Sequence, residues 1–308
     1  MYLGKKDGFD LKLDPPAMNM KRYEFNDTRE RPTSDLLMDF AISFAAKAFR
    51  LPERQQMLHL CDVFREDLPI WNSSPGLNWI EKGYGTIREI RDNPQAQNEL
   101  RAFWYHFKRG KQSEPPDTYA YVESQLGSEG QIRVKWGYSA TITLAEAMFA
   151  VPIIEAYRKF PTPIAFGFAN GAGVKKKLFN TLHGSHYVSL KFENFQRTLP
   201  TWLILVAFDV IAFNIDFVHY RGGGIPNTKS MIKMYEFLTE YSIHTPVRLS
   251  NGERYQKHSG LASGSYFTEL IESICNHILV KYAAIKENVE INKIFVLGAV
   301  PSWHAMDR

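Results

Sequence analysis

The chain has 308 residues, 44% hydrophobic and 23% charged, a balance that excludes a disordered or fibrous protein and can fill the core of one or two domains. Its 37 basic and 33 acidic residues leave a formal charge of +4, which tolerates a phosphate backbone without demanding one. Cys61 and Cys275 are the only cysteines, so a disulfide framework is excluded and a reducing, cytoplasmic compartment is expected.

Residues 1 to 33 are polar, contain Pro15, Pro16 and Pro32, and read as an arm without its own core. MYLGKKDGFDLKLD has no apolar run of signal-peptide length. After Ser34, the spacing of Leu37, Phe40, Ala41, Phe44, Ala45 and Ala48 predicts an amphipathic helix that Pro52 closes. A second helix is predicted over Glu53 to Phe64. NSSPGLNWIEKGYGT, from Asn72, is a turn-rich loop.

Leu100 to Lys108 is predicted as a helix and Ile132 to Tyr138 as a strand. Thr143 to Phe160 is again helical, with Pro152 expected to kink or restart it. In Tyr187 to Phe195, Val188, Leu190 and Phe192 alternate with Ser189, Lys191 and Glu193, the period of a strand. Pro200 suits the first turn of a long helix, which RGGGIP, Arg221 to Pro226, ends. Asp209 and Asp216 interrupt the apolar run Thr201 to Val218, the most membrane-like stretch, so no membrane span is expected. A further helix, a hairpin turning at Asn251 and Gly252, and a loop at Gly260 to Ser265 come next. A helix from Phe267 to Ala283 and a strand from Lys293 to Leu297 precede a tail, 299–308, predicted to be irregular.

HSGLASGSYFTELIESICN, His258 to Asn276, resembles motif B of the RNA-dependent RNA polymerases of the partitivirus group. In that family a Pro-Ser-Gly-Ser loop near the template leads into a helix whose Thr and Asn face the incoming nucleotide. Ser263, Gly264, Ser265, Thr268 and Asn276 stand at the matching positions, and Ala262 replaces the proline. Independently, Thr268, Glu272 and Asn276 are four apart and form one polar stripe on a helix, a line suited to a ribose 2′-hydroxyl. SPGLNW, Ser74 to Trp79, resembles a fingers signature, with Asn78 in place of proline. Tyr119 to Ala150 resembles the nucleotide-entry region, whose cations meet the triphosphate. Arg133 matches one of them and Lys135 adds a charge, but Gly130 and Gln131 stand where arginine and lysine are expected. For Arg133 and Lys135, phosphate contact and an ordinary solvated strand face stay open. The resemblance covers Ser73 to Gly298, several blocks in the family's order.

The same resemblance implies two-metal nucleotidyl transfer, with carboxylates of motifs A and C holding Mg²⁺. Motif A should carry two aspartates five residues apart, and Lys191 and Gln196 occupy those positions. Glu193 is one strand repeat from Lys191, about 6.6 Å away and too far for direct replacement. Motif C should read Gly-Asp-Asp, but Gly298 is followed by Ala299 and Val300. Asp209 and Asp216 are expected on a helix in solvated or capping roles. His183 and His186 lack a third ligand nearby for zinc, and Gly222 to Gly224 lack the lysine of a phosphate loop.

These readings predict an α+β fragment of a right-hand polymerase, with fingers and palm but without the thumb and last palm strands. Its parts would be an N-terminal arm and helices (1–72), an incomplete fingers–palm unit (73–298) and the tail. A bare sheet edge at the last strand is expected, with low stability or a partner covering it. No catalytic residue and no metal is expected. The implied partners are RNA template, nucleotides and a viral replication protein. The alternative is an active RNA-directed RNA polymerase using Mg²⁺, represented by an incomplete sequence.

Overall fold

Asp35 opens the first helix, α1 (Leu36–Ala48), by accepting hydrogen bonds from the Leu37 and Met38 amides, an arrangement that suits the positive end of a helix. The computed structural model describes residues 29–111, 114–123, 133–166, 186–190, 192, 195–262, 264–298 and 300–306. Met38, Ala41 and Ala45 are the buried face of α1, whereas Phe40 and Phe44 are 57% and 49% exposed. Small residues there let α1 lie close to a neighbouring helix, so the two phenylalanines expected in the core are turned outward.

Where a helix was expected from Glu53 to Phe64, the chain forms strand β1 (Gln55–Met57) and a single helical turn, Leu60–Val63. Helix α2 (Pro94–Lys108) starts earlier than its apolar spacing suggests, because Asn93 caps it and Pro94 occupies its first turn. Strands β2 (Thr118–Glu123) and β3 (Arg133–Gly137) lead into α3 (Ala140–Lys159), which continues through Pro152 as one helix. Strand β4 (His186–Leu190), a one-turn helix at Phe195–Thr198 and α4 (Thr201–Ala212) come next. The apolar run then leaves the helix at Ala212 and continues as strand β5 (Ile215–Tyr220). Asn214 makes that break: its amide donates to the carbonyls of Val210 and Phe49, and its side-chain oxygen accepts from the Leu51 amide.

Helix α5 (Thr228–Ile243) is followed by the hairpin of β6 (Pro246–Leu249) and β7 (Arg254–Gln256), turning through Gly252 at φ +89° as expected. Helix α6 (Thr268–Lys286) precedes β8 (Ile291–Leu297). The segment expected to be an irregular tail forms β9 (Val300–Met306), antiparallel to both β8 and β4. The other edge of β8 is also engaged, through a bridge from Ile164 to Val296. The bare edge expected at the last strand is thus paired on both sides.

The result is a mixed α+β structure with three small sheets, in the orders β1-β5, β3-β2-β6-β7 and β4-β9-β8. One continuous core joins them. At its centre Phe149, Phe208, Tyr235 and Phe267 stack edge to face, with ring centroids 5.2 to 6.0 Å apart, so this part of the aromatic load serves packing. Among the described residues, helix α3, rather than the run at Thr201, is the one long and apolar enough to cross a membrane, and 89% of that window is buried inside the protein. Burial in the core accounts for its composition.

Candidate functional site

The loop from Lys257 to Phe267 is held at almost every residue. Lys257 is 1% exposed, and its ammonium donates to the carbonyls of Ser242, Gly260 and Ile243 at 2.6, 2.7 and 2.9 Å. Three donors meet three carbonyls, tying the end of α5 to the start of the loop. Burial pulls the Lys257 amine down to about 7, while the carbonyl dipoles favour the ammonium.

Gly260 follows in the left-handed region, at φ +65°, and a Cβ there would lie 2.5 Å from the Gln196 carbonyl oxygen. That same carbonyl accepts from the Leu261 amide at 2.8 Å. Glycine is required at this crossing by both backbone angle and space. Further along, the Thr268 hydroxyl donates to the Ala262 carbonyl at 2.8 Å and closes the loop onto the first turn of α6.

Glu146, from the middle of α3, secures the loop's far end. One carboxylate oxygen accepts from the Ser265 hydroxyl at 2.8 Å and the other from the Tyr266 amide at 2.9 Å. The group is fully buried, and burial pushes its pKa up to about 8 against the pull of those two donors. Gly264, exposed between these anchors at φ +121°, lies against the Trp136 carbonyl of β3.

The polar stripe of α6 is buried. Thr268, Glu272 and Asn276 are 8%, 3% and 1% exposed and line the helix side that meets the turn between β8 and β9. The Gly298 amide donates to the Ser273 hydroxyl at 2.8 Å, and the Asn276 amide reaches the Gly298 carbonyl at 3.4 Å. A Cβ on Gly298 would come within 3.0 Å of a Glu272 carboxylate oxygen, so the turn sits tightly on this helix.

The predicted residues are therefore drawn together by backbone as much as by side chains. Gln196 lies under the loop, Gly264 and Ser265 form its outer bend, Thr268 and Asn276 follow on α6, and Val300 begins the strand leaving the Gly298 turn. Arg133 and Lys135 are on β3, opposite Glu123 and Tyr121 of β2. Lys191, Glu193, Ser263, Ala299, Gly130, Gln131 and His183 lie outside the described residues, and His186 opens β4.

Asp216, expected on a helix, lies on β5, accepts from the Val218 amide and contacts His219 Nδ1. Gly223 and Gly224 turn the chain at φ +92° and +96°, in keeping with the turn reading. Among the described residues no group of three or more His, Cys, Asp or Glu side chains converges as metal ligands. Where the resemblance expects carboxylates, Gln196 offers a neutral amide oxygen and the side chains of Ala299 and Val300 offer no ligand, a poor set for a hard cation.

Glu146 and Lys257 were missed as site residues. Glu146 did leave a signal, since it is the sole charge between Ala140 and Ile154, and a lone acid in an apolar helix is buried only with donors to meet it. Lys257 left none, because its surroundings in sequence are polar.

Residues 64–297 match the family described as viral RNA-dependent RNA polymerase. The chain belongs to that family. Over 164 residues it is also 27% identical to the RNA-directed RNA polymerase of Cryptosporidium parvum virus 1 (strain KSU-1). The aligned stretch is 51% of this chain but 28% of that relative, so the chain matches less than a third of the curated polymerase's length. The partitivirus-like resemblance read from the motifs holds at family level over this part of the chain.

Proposed function

We propose that the chain is a polymerase-derived protein of partitivirus type that engages RNA but does not join nucleotides. The observation that carries this reading is the chemistry at four positions: Lys191, Gln196, Ala299 and Val300 stand where the family's carboxylates would hold Mg²⁺. A protonated lysine repels a divalent ion, and neither alanine nor valine ligates one. Without the paired metals nothing activates the 3′-hydroxyl or neutralises the leaving pyrophosphate. In this reading the fingers and palm scaffold persists, with β3 presenting Arg133 and Lys135 to phosphate. The loop with Ser263, Gly264 and Ser265 would form the surface toward template and nucleotide, while Thr268 and Asn276, expected from the resemblance to face the nucleotide, are buried and would hold the loop and the Gly298 turn in place.

The test is primer extension on a primed RNA template with Mg²⁺ or Mn²⁺, run beside a gel shift with the same RNA over a salt series. The reading expects a shift that weakens with salt and no extended product. Extension by the purified chain would overturn it. An active RNA-directed RNA polymerase is the second reading, favoured by the anchoring of the loop at Lys257, Ser265 and Thr268, and a template-dependent product is what it requires.

A further inference from the structure

A concave pocket of about 640 Å³ opens where the last turn of α1 meets the end of α4, a size typical of ligand clefts. It shares no lining residue with the loop, β4 or the Gly298 turn. Lys47, Arg50 and Arg54 stand around it and no acidic side chain lines it. Among the described residues none of these three cations has an ion-pair partner. Phe213 completes the rim with a ring that is 68% exposed.

Two helix C-termini point here, and each would bring about half a negative charge against an anion. Their carbonyls are already engaged: Phe49 O accepts from Asn214 Nδ2 and the Tyr157 hydroxyl, and Val210 O from Asn214 Nδ2. Three full positive charges outweigh the two half charges that remain. Asn214 also holds the Leu51 amide at 2.8 Å, so the floor carrying these side chains is fixed before any ligand arrives.

We propose that this pocket binds single-stranded RNA. The phosphates would lie on Lys47, Arg50 and Arg54, and one base would stack on Phe213, the combination of cationic groove and aromatic platform that such strands require. The proposal does not depend on whether the polymerase site binds RNA, and the test separates the two.

Fluorescence anisotropy with a short fluorescein-labelled RNA would compare four proteins over a salt series. These are the unaltered chain, Lys47→Gln/Arg50→Gln/Arg54→Gln, Phe213→Ala, and Arg133→Gln/Lys135→Gln. Losing three phosphate contacts should flatten the log–log salt slope by about 2, and Phe213→Ala should weaken RNA binding roughly tenfold. Phe213→Ala should leave binding of inorganic polyphosphate, which has no bases, unchanged. Photo-crosslinking of 5-bromouridine RNA should label the peptide containing Phe213, including in the Arg133→Gln/Lys135→Gln protein. Unchanged affinity and slope in the triple variant overturns the proposal, as does a Phe213→Ala effect equal for RNA and polyphosphate. If only the Arg133→Gln/Lys135→Gln protein loses binding, the polymerase site alone takes RNA and the pocket is refuted. Circular dichroism of each variant checks folding, and the crosslink on the unaltered chain decides the matter if the triple variant is unfolded.

Discussion

Replacing Glu146 with glutamine tests whether a buried carboxylate sets the conformation of the loop over the candidate site. The carboxyl is inaccessible to solvent and its pKa is raised to about 8 from 4.5. The folded protein therefore holds a proton between these values that the unfolded chain releases. Stability falls as pH rises through this window, by up to about 1.4 kcal/mol per pH unit and about 5 kcal/mol in all. Glutamine keeps the shape: its oxygen accepts from the Tyr266 amide and its nitrogen donates to the Ser265 hydroxyl. It has no proton to lose, so the Glu146 contribution to the slope should vanish between pH 5 and 7, leaving those of His59, His244, Asp209 and Glu269. Alanine behaves differently, because it leaves the Tyr266 amide without its acceptor and opens a cavity, together costing roughly 3 kcal/mol at any pH in this range. Urea unfolding at pH 5, 6 and 7, followed by tryptophan fluorescence, measures all three proteins. A Glu146→Gln protein with the unaltered slope would refute the assignment of Glu146 as the titrating clamp.

Lys257 gives a dependence of the opposite sign in a higher window. Its amine is lowered to about 7 from 10.5, so the folded state binds fewer protons across that interval and stability rises with pH. Cys275 and the buried tyrosines pull the other way, so Lys257→Met should make the slope between pH 8.5 and 10 more negative, by up to about 1.4 kcal/mol per pH unit, as read by the same unfolding assay. Gly260→Ala would place a methyl group 2.5 Å from the Gln196 carbonyl at φ +65°. A loss of about 2–4 kcal/mol is expected, while Gly83→Ala, with open space around its Cβ position, should cost only its backbone strain.

Much of the scaffold was legible because its signals are local. Of the apolar stripe Phe267, Leu270, Ile271, Ile274, Ile278 and Leu279, all are buried as their spacing implies except the half-buried Leu279, and Asn251–Gly252 turns the predicted hairpin. The misses share a physical origin in tertiary pairing. Strand β1 is a Gln-Gln-Met triplet that exists because β5 lies parallel to it, and β5 itself hides in an apolar run where the Asn214 side chain separates helix from strand. Strand β9 is placed between β4 and β8 by long-range pairing, against the local preference of Pro301. In α1, the residues that looked like core, Phe40 and Phe44, are outside because the close helix contact selects alanines.

At the candidate site, Gln196 and the loop that the motifs singled out meet through backbone, at Gly260 and Leu261. Burial of the Thr268–Glu272–Asn276 stripe was not legible, since helical spacing shows which residues share a face but not what covers it.

Divalent-ion stoichiometry bears most directly on the proposed loss of catalysis. Mn²⁺ would be titrated by electron paramagnetic resonance into the chain with primed RNA and a nucleotide whose α–β bridge cannot be cleaved. The account predicts only the ion that the nucleotide carries. Two protein-dependent Mn²⁺ ions per nucleotide would contradict it.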